Sequence, residues 1–214
     1  MSGYPLLWCS PYQIELAASA QLGQNLRHLV DQRQRHMAEL DWIEGLICFC
    51  ERTQIVSDVI DNAEAVWSDL RRGRPFPGRG DIDPLNFRNV LPYLSIIEFH
   101  ENPFRIRYRL LGTEVTRFAG EDFSGKWLTD TGWTPQHQRL NLLLYARLYE
   151  TQKPTFGLSQ VDWRDRTDHY FQWALYPLGE DGRVTHCLSV DDFTHIARPS
   201  GLLRESSPKD EPEK

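Results

Sequence analysis

Three strand-like runs dominate the C-terminal half of the chain: Thr155–Trp163, His169–Pro177 and Arg183–Phe193. They are joined by the turn-forming stretches Arg164-Asp165-Arg166-Thr167 and Gly179-Glu180-Asp181-Gly182. In the last two runs apolar residues occupy both alternating sets of positions, so a sheet built from them is apolar on both faces. Such a sheet needs two coverings, and its pattern leaves open which face looks onto which cover. One covering is available between Thr113 and Pro154, where the period becomes helical. A short piece at Thr113–Ala119, a break at Gly120–Gly125 and another short piece near Trp127 precede a longer helix over Pro135–Gln152, with Leu140, Leu143, Leu144, Leu148 and Tyr149 on its buried side.

The second covering is an amphipathic helix. Val56, Val59, Ile60, Ala63, Val66, Trp67 and Leu70 form one stripe, with Asp58, Asp61, Asn62 and Asp69 off it. Ser57 or Thr53 can cap its start, and Arg71-Arg72-Gly73 suits its end, with Gly at C′ and the arginines at the negative end of the helix dipole. A stripe this apolar must dock, either on its own sheet or across a twofold axis. The Gly/Pro linker 73–80 permits both, and the expectation is a homodimer built around this helix. Upstream, Leu22, Leu26, Leu29, Arg33, His36, Leu40 and Ile43 recur at intervals of four and three, a coiled-coil seam with two polar members that would extend the contact.

Asp81-Ile82-Asp83-Pro84 reads as a cap with Pro at the first helical position, opening a short helix through Val90. Two strands follow, Tyr93–Phe99 and Phe104–Gly112, across a His100-Glu101-Asn102-Pro103 turn. In the second, Phe104, Ile106, Tyr108 and Leu110 alternate with Arg105, Arg107 and Arg109, giving an apolar face and a basic one. The organisation expected is a helical extension over 1–54, a flanking helix and linker over 55–80, a domain over 81–198, and a charged, Pro-containing disordered tail over 199–214.

The 214 residues suit one core, and 40% hydrophobic content is enough to fill it. A net charge of −6 argues against a nucleic-acid surface, which needs a basic face. No segment approaches the roughly 18–20 apolar residues of a membrane helix, and no basic-then-apolar leader opens the chain, so the expectation is a cytoplasmic protein with no membrane insertion. The four cysteines, Cys9, Cys48, Cys50 and Cys187, are read as reduced thiols, and the C-x-C of Cys48 and Cys50 lacks the further ligands of a zinc site. No metal site is expected. Nor is a catalytic residue: Asp162, Asp165, Asp168, Asp191 and Asp192 are plentiful carboxylates, but Arg164 and Arg166 beside Asp165 and Asp168 would hold their pKa values low, and Asp191-Asp192 reads as a strand-terminal cap or junction.

Local motifs sharpen the topology. In order they are Trp67-Ser68-Asp69-Leu70-Arg71 before a Pro-containing spacer, Asp83-Pro84-Leu85 leading to Val90-Leu91-Pro92-Tyr93-Leu94, Tyr108-Arg109-Leu110-Leu111-Gly112-Thr113, Phe123-Ser124-Gly125-Lys126, and Tyr176-Pro177-Leu178 before Asp181-Gly182. Over about residues 55–195 the chain resembles the single-domain PAS proteins found mainly in alphaproteobacteria. The resemblance implies an α+β fold, a PAS-like five-stranded antiparallel sheet with helices on one face, preceded by an amphipathic N-terminal helix. It implies a cytoplasmic sensor or adaptor of bacterial signal transduction, with no catalytic residues to transfer and no single cofactor, acting by docking onto another signalling protein. It also implies that signal leaves the domain at the end of the last strand, where Asp191-Asp192 stand.

A flavin-cysteinyl adduct is excluded, because no Cys lies between Cys50 and Cys187. Haem is argued against: His137, the only histidine in the domain's expected helices, stands at the water-facing start of its helix. A small apolar or amphipathic ligand would lie in a pocket formed by Tyr108, Leu110, Phe118, Trp127, Leu144 and Leu148. The alternative is a small enzyme on a cone-like α+β fold, in which a buried carboxylate and a Tyr such as Tyr108 polarise a substrate in that pocket.

Overall fold

The computed structural model describes residues 42–161 and 169–197. Seven strands form one antiparallel sheet: β1 (Trp42–Ile43), β2 (Ile47–Cys50), β3 (Leu94–His100), β4 (Arg105–Leu111), β5 (Thr155–Gln160), β6 (Tyr170–Glu180) and β7 (Arg183–Ala197), in the spatial order β1-β2-β5-β6-β7-β3-β4. Among the described residues three α-helices accompany it: α1 (Asp58–Arg71), α2 (Thr113–Ala119) and α3 (Pro135–Thr151). This is an α+β fold in which the five strands β3 to β7 make the expected PAS-like antiparallel sheet.

The hairpin β1–β2 is an addition. Residues 42–50 were expected to end a helical extension, but Ile47 to Cys50 pair with Phe156 to Ser159 of β5 and lengthen the sheet by two strands. Ile43, the last position of the coiled-coil seam, lies in β1, and the other six positions lie outside the described residues. The run Ile47-Cys48-Phe49 is nearly all buried, so the free edge of β5 supplies both backbone partners and cover that a helix there would lack. At Gly157 a Cβ would stand 2.1 Å from the Cys48 carbonyl oxygen and 2.4 Å from the Trp173 ring, so only glycine admits this approach.

Helix α1 starts at Ser57, whose hydroxyl accepts a 3.0 Å hydrogen bond from the Ile60 amide, and ends at Arg72 and Gly73, both left-handed. It lies across β6 and β7 of its own sheet. Ile60, Ala63 and Trp67 are buried there, Val59, Val66 and Leu70 are half-buried, and Val56 at 48% is exposed. Burying Ile60 alone contributes about 1.5–3 kcal/mol. Intramolecular docking thus takes up the stripe from which a dimer was expected. The Trp67 indole N–H also donates to the Pro177 carbonyl at 3.0 Å and its ring packs on Tyr176 at 5.3 Å, so this residue belongs to the core.

Helices α2 and α3 cover the other face. The buried side of α3 is Leu140, Leu144, Tyr145, Ala146 and Leu148, which is rotated from the sequence reading by exchanging Leu143 and Tyr149 for Tyr145 and Ala146. No helix among the described residues is long and apolar enough to cross a membrane.

Candidate functional site: a cavity between the sheet and helices α2 and α3

Between the sheet and helices α2 and α3 lies a cavity of about 500 Å³, within the range of small-molecule sites. Two aromatic groups wall it. Around Tyr108 of β4 stand Phe123, Trp133 and Tyr145, with ring centroids 4.6, 6.0 and 6.5 Å away. In the second group Phe118 of α2 stacks on Phe193 of β7 at 3.9 Å, and both meet Phe171 of β6. The period of two along the strands selects these residues: Phe171, Trp173 and Leu175 of β6 and Ser189, Asp191 and Phe193 of β7 line the cavity. The intervening Gln172, Tyr176 and Asp192 meet α1 or its entry segment, Tyr176 on Trp67, Gln172 on Val56 and Asp192 on Ser57.

Of the six pocket positions read from sequence, Tyr108, Phe118 and Leu144 line the cavity. Leu110 is 37% exposed. The alternation that placed it beside Tyr108 is broken by a bulge, since Ile96 pairs with Leu110 and Ile97 with Tyr108, leaving Arg109 as the extra residue and turning Leu110 outward. Trp127 bridges to Arg107 along the outer side of β4, with the Arg105 guanidinium 3.8 Å from its ring and His100 edge-on at 4.7 Å. It covers the basic face of that strand and not the cavity. Leu148 is fully buried in the core beneath α3, one turn beyond the lining.

The residue that sequence reasoning placed elsewhere is Asp191. It was read as a strand-end cap or junction, but β7 continues to Ala197, so Asp191 stands mid-strand with its side chain on the cavity. Burial pushes its carboxyl up to about 7, and the Ser189 hydroxyl, donating at 3.4 Å, pulls weakly the other way. Its half-buried surface faces the cavity. Burial likewise raises the Tyr108 and Tyr145 hydroxyls and the Cys187 thiol far above their ordinary values, so all three are neutral. The available signal was the i, i+2 spacing of Ser189, Asp191 and Phe193, but with both faces of β7 apolar that spacing did not say which side held the cavity.

Several polar groups here lack partners. Among the described residues the Tyr108 hydroxyl and the Trp173 indole N–H are buried without a hydrogen bond; the Tyr145 hydroxyl is close enough to influence Tyr108 without satisfying it in hydrogen-bond geometry. The enzyme reading called for a carboxylate hydrogen-bonded to Tyr108, and no such bond is made. Asp191 nonetheless gives the cavity an ionisable group. Asp162, Asp165 and Asp168 lie outside the described residues, and no cluster of three metal-ligating side chains occurs among the described ones.

At the entry of α1 the polar groups are satisfied, while the Tyr176 hydroxyl, further along that face, is buried without a hydrogen bond. The Ser57 hydroxyl donates to Asp192 at 2.6 Å, and the Gln172 amide accepts from the Val56 N–H at 2.8 Å and donates to the Val56 carbonyl at 2.7 Å. These bonds tie the entry of α1 to the strands that line the cavity on their other side.

Residues 57–188 match the family model of the PAS domain, which takes in α1, the cavity helices, strands β3 to β6 and the first part of β7. The chain belongs to the PAS domain family. PAS domains are sensory and signalling modules and are generally not enzymes. A search of curated proteins finds no match to the chain.

Proposed function

We propose that this PAS domain is a sensor that holds a small apolar or amphipathic ligand in the cavity and passes its occupancy to a partner protein through the α1 side of the sheet. What carries the reading is the coincidence of a cavity of ligand size with buried polar groups that the protein leaves unsatisfied, Tyr108 and Trp173. Each such group costs about 1–3 kcal/mol when left bare. A ligand that completes them therefore binds to a site already shaped for it.

Strand β7 supplies the route outward. Asp191 faces the cavity and the next residue, Asp192, accepts from the α1 cap Ser57, so a shift of β7 on ligand binding is felt at the start of α1. Contact with another signalling protein, or with a second copy of the chain, is assigned to the outer side of α1 and its entry segment, because the stripe itself is docked inward.

Native mass spectrometry and absorbance of gently purified protein test the ligand site. A bound small molecule is expected in the wild type and its loss in Leu144→Trp, which fills the cavity. Wild-type protein that is ligand-free and whose Tm responds to no small apolar or amphipathic compound would count decisively against the sensor reading. Light scattering tests association: a dimer supports a second copy at α1, whereas a monomer leaves α1 as a cap on its own sheet.

A further inference from the structure

Among the described residues Asp191 is the only carboxylate that lines the cavity, and no Lys or Arg among them lines it. The hydrogen bond the structure gives this carboxylate is the long one from Ser189. A buried carboxylate with no cation beside it is costly and draws in a positive group. The rings around it present π-faces, which attract cations as well as apolar bodies. His137, at the start of α3, is the other titratable side chain of the lining besides Tyr108 and Tyr145, and its Nδ1 is engaged with the Thr134 hydroxyl at 2.7 Å.

We infer that the cavity takes an aromatic amine in its cationic form, the ammonium held by Asp191 and the apolar body held between the rings of Tyr108, Tyr145, Phe118 and Phe193. This rests on the cavity being a ligand site at all. The unsatisfied Tyr108 hydroxyl can additionally donate to an acceptor on the ligand body. A neutral analogue loses the charge pairing and an anionic one is repelled, so the cavity discriminates by charge and not by shape alone.

The test compares three indoles of like size by isothermal titration calorimetry: tryptamine, a cation; tryptophol, neutral; and indole-3-acetate, an anion. Tryptamine is expected to bind wild type about tenfold or more tighter than tryptophol, with indole-3-acetate weakest. In Asp191→Asn the advantage of tryptamine should vanish while tryptophol binding persists. Because an amine of this kind stays protonated across the range, its affinity should rise from about pH 6 to about pH 8 as Asp191 ionises. Asp191→Asn should abolish that rise, whereas His137→Gln should keep it. Equal affinities, or tightest binding of the anion, would overturn the cationic assignment while leaving the cavity as a ligand site. Binding of none of the three would overturn both.

Discussion

The two faces of the sheet are apolar to a similar degree but are used differently. On the α1 face the cover is one helix whose Trp67, Ile60 and Ala63 are buried, and each polar group at its entry has a partner: Ser57 with Asp192, and Gln172 with the backbone of Val56. On the other face α2 and α3 stand over a cavity of about 500 Å³, whose described lining holds a carboxylate, no Lys or Arg, and a bare tyrosine hydroxyl. A close-packed face gains dispersion and hydrogen bonding and supplies stability. A face with a void forgoes some of both, and what it keeps is room. The contrast assigns stability to one side of the sheet and a cavity of ligand size to the other.

The strongest challenge to this contrast is Trp67→Ala. It removes the largest side chain of the packed face together with its bond to Pro177, and should cost about 3–5 kcal/mol in urea denaturation. A loss below 1 kcal/mol would mean that α1 is not the structural cover. By the same geometry Val59→Asp together with Trp67→Asp should unfold the domain, because Trp67 is buried against its own sheet.

Next in size is the pH dependence of Asp191. Its folded-state pKa of about 7 lies above the unfolded value near 3.8, so its contribution to stability is fully present below pH 4 and is lost as pH rises through 7. Asp191→Asn should therefore gain on wild type between about pH 4 and 7, by an amount on the order of 4 kcal/mol at most. A gap between the two proteins that is flat with pH would place Asp191 in contact with solvent or a hidden cation.

Asp192→Ala, one residue along, should behave oppositely. It strips the Ser57 hydroxyl of its acceptor on the packed face and should destabilise by about 1–3 kcal/mol. If the two aspartates respond alike, the difference between the faces is not electrostatic. The smallest effect is expected for Leu110→Ala, which should stay within about 0.5 kcal/mol and leave tryptamine binding unchanged, because that side chain points outward.

Much of the fold was legible because local rules and tertiary structure agree. The Ser57 cap and the Gly73 stop define α1, the Thr113–Ala119 helix falls where the period changes, and the strands around the two turn-forming stretches pair as neighbours. The hairpin at 42–50 was not legible, since its short apolar run fits either period and only the open edge of β5 makes strand the better choice. Leu110 and Trp127 were misplaced for a related reason. A bulge at Arg109 has no signature in the alternation itself, and Trp127 crosses to the outer side of β4 because the arginines there offer it a cationic face.

By itself the sequence determined that a doubly apolar antiparallel sheet would be covered on both sides, and which two segments would cover it, because periodicity and capping are local properties of the chain. Only the tertiary structure decided which cover packs tightly and which leaves a cavity, and hence that Asp191 faces that cavity while Asp192 holds a helix. Neighbouring residues of a strand point to opposite faces, and when both faces are apolar nothing in the alternation distinguishes them until the helices are in place.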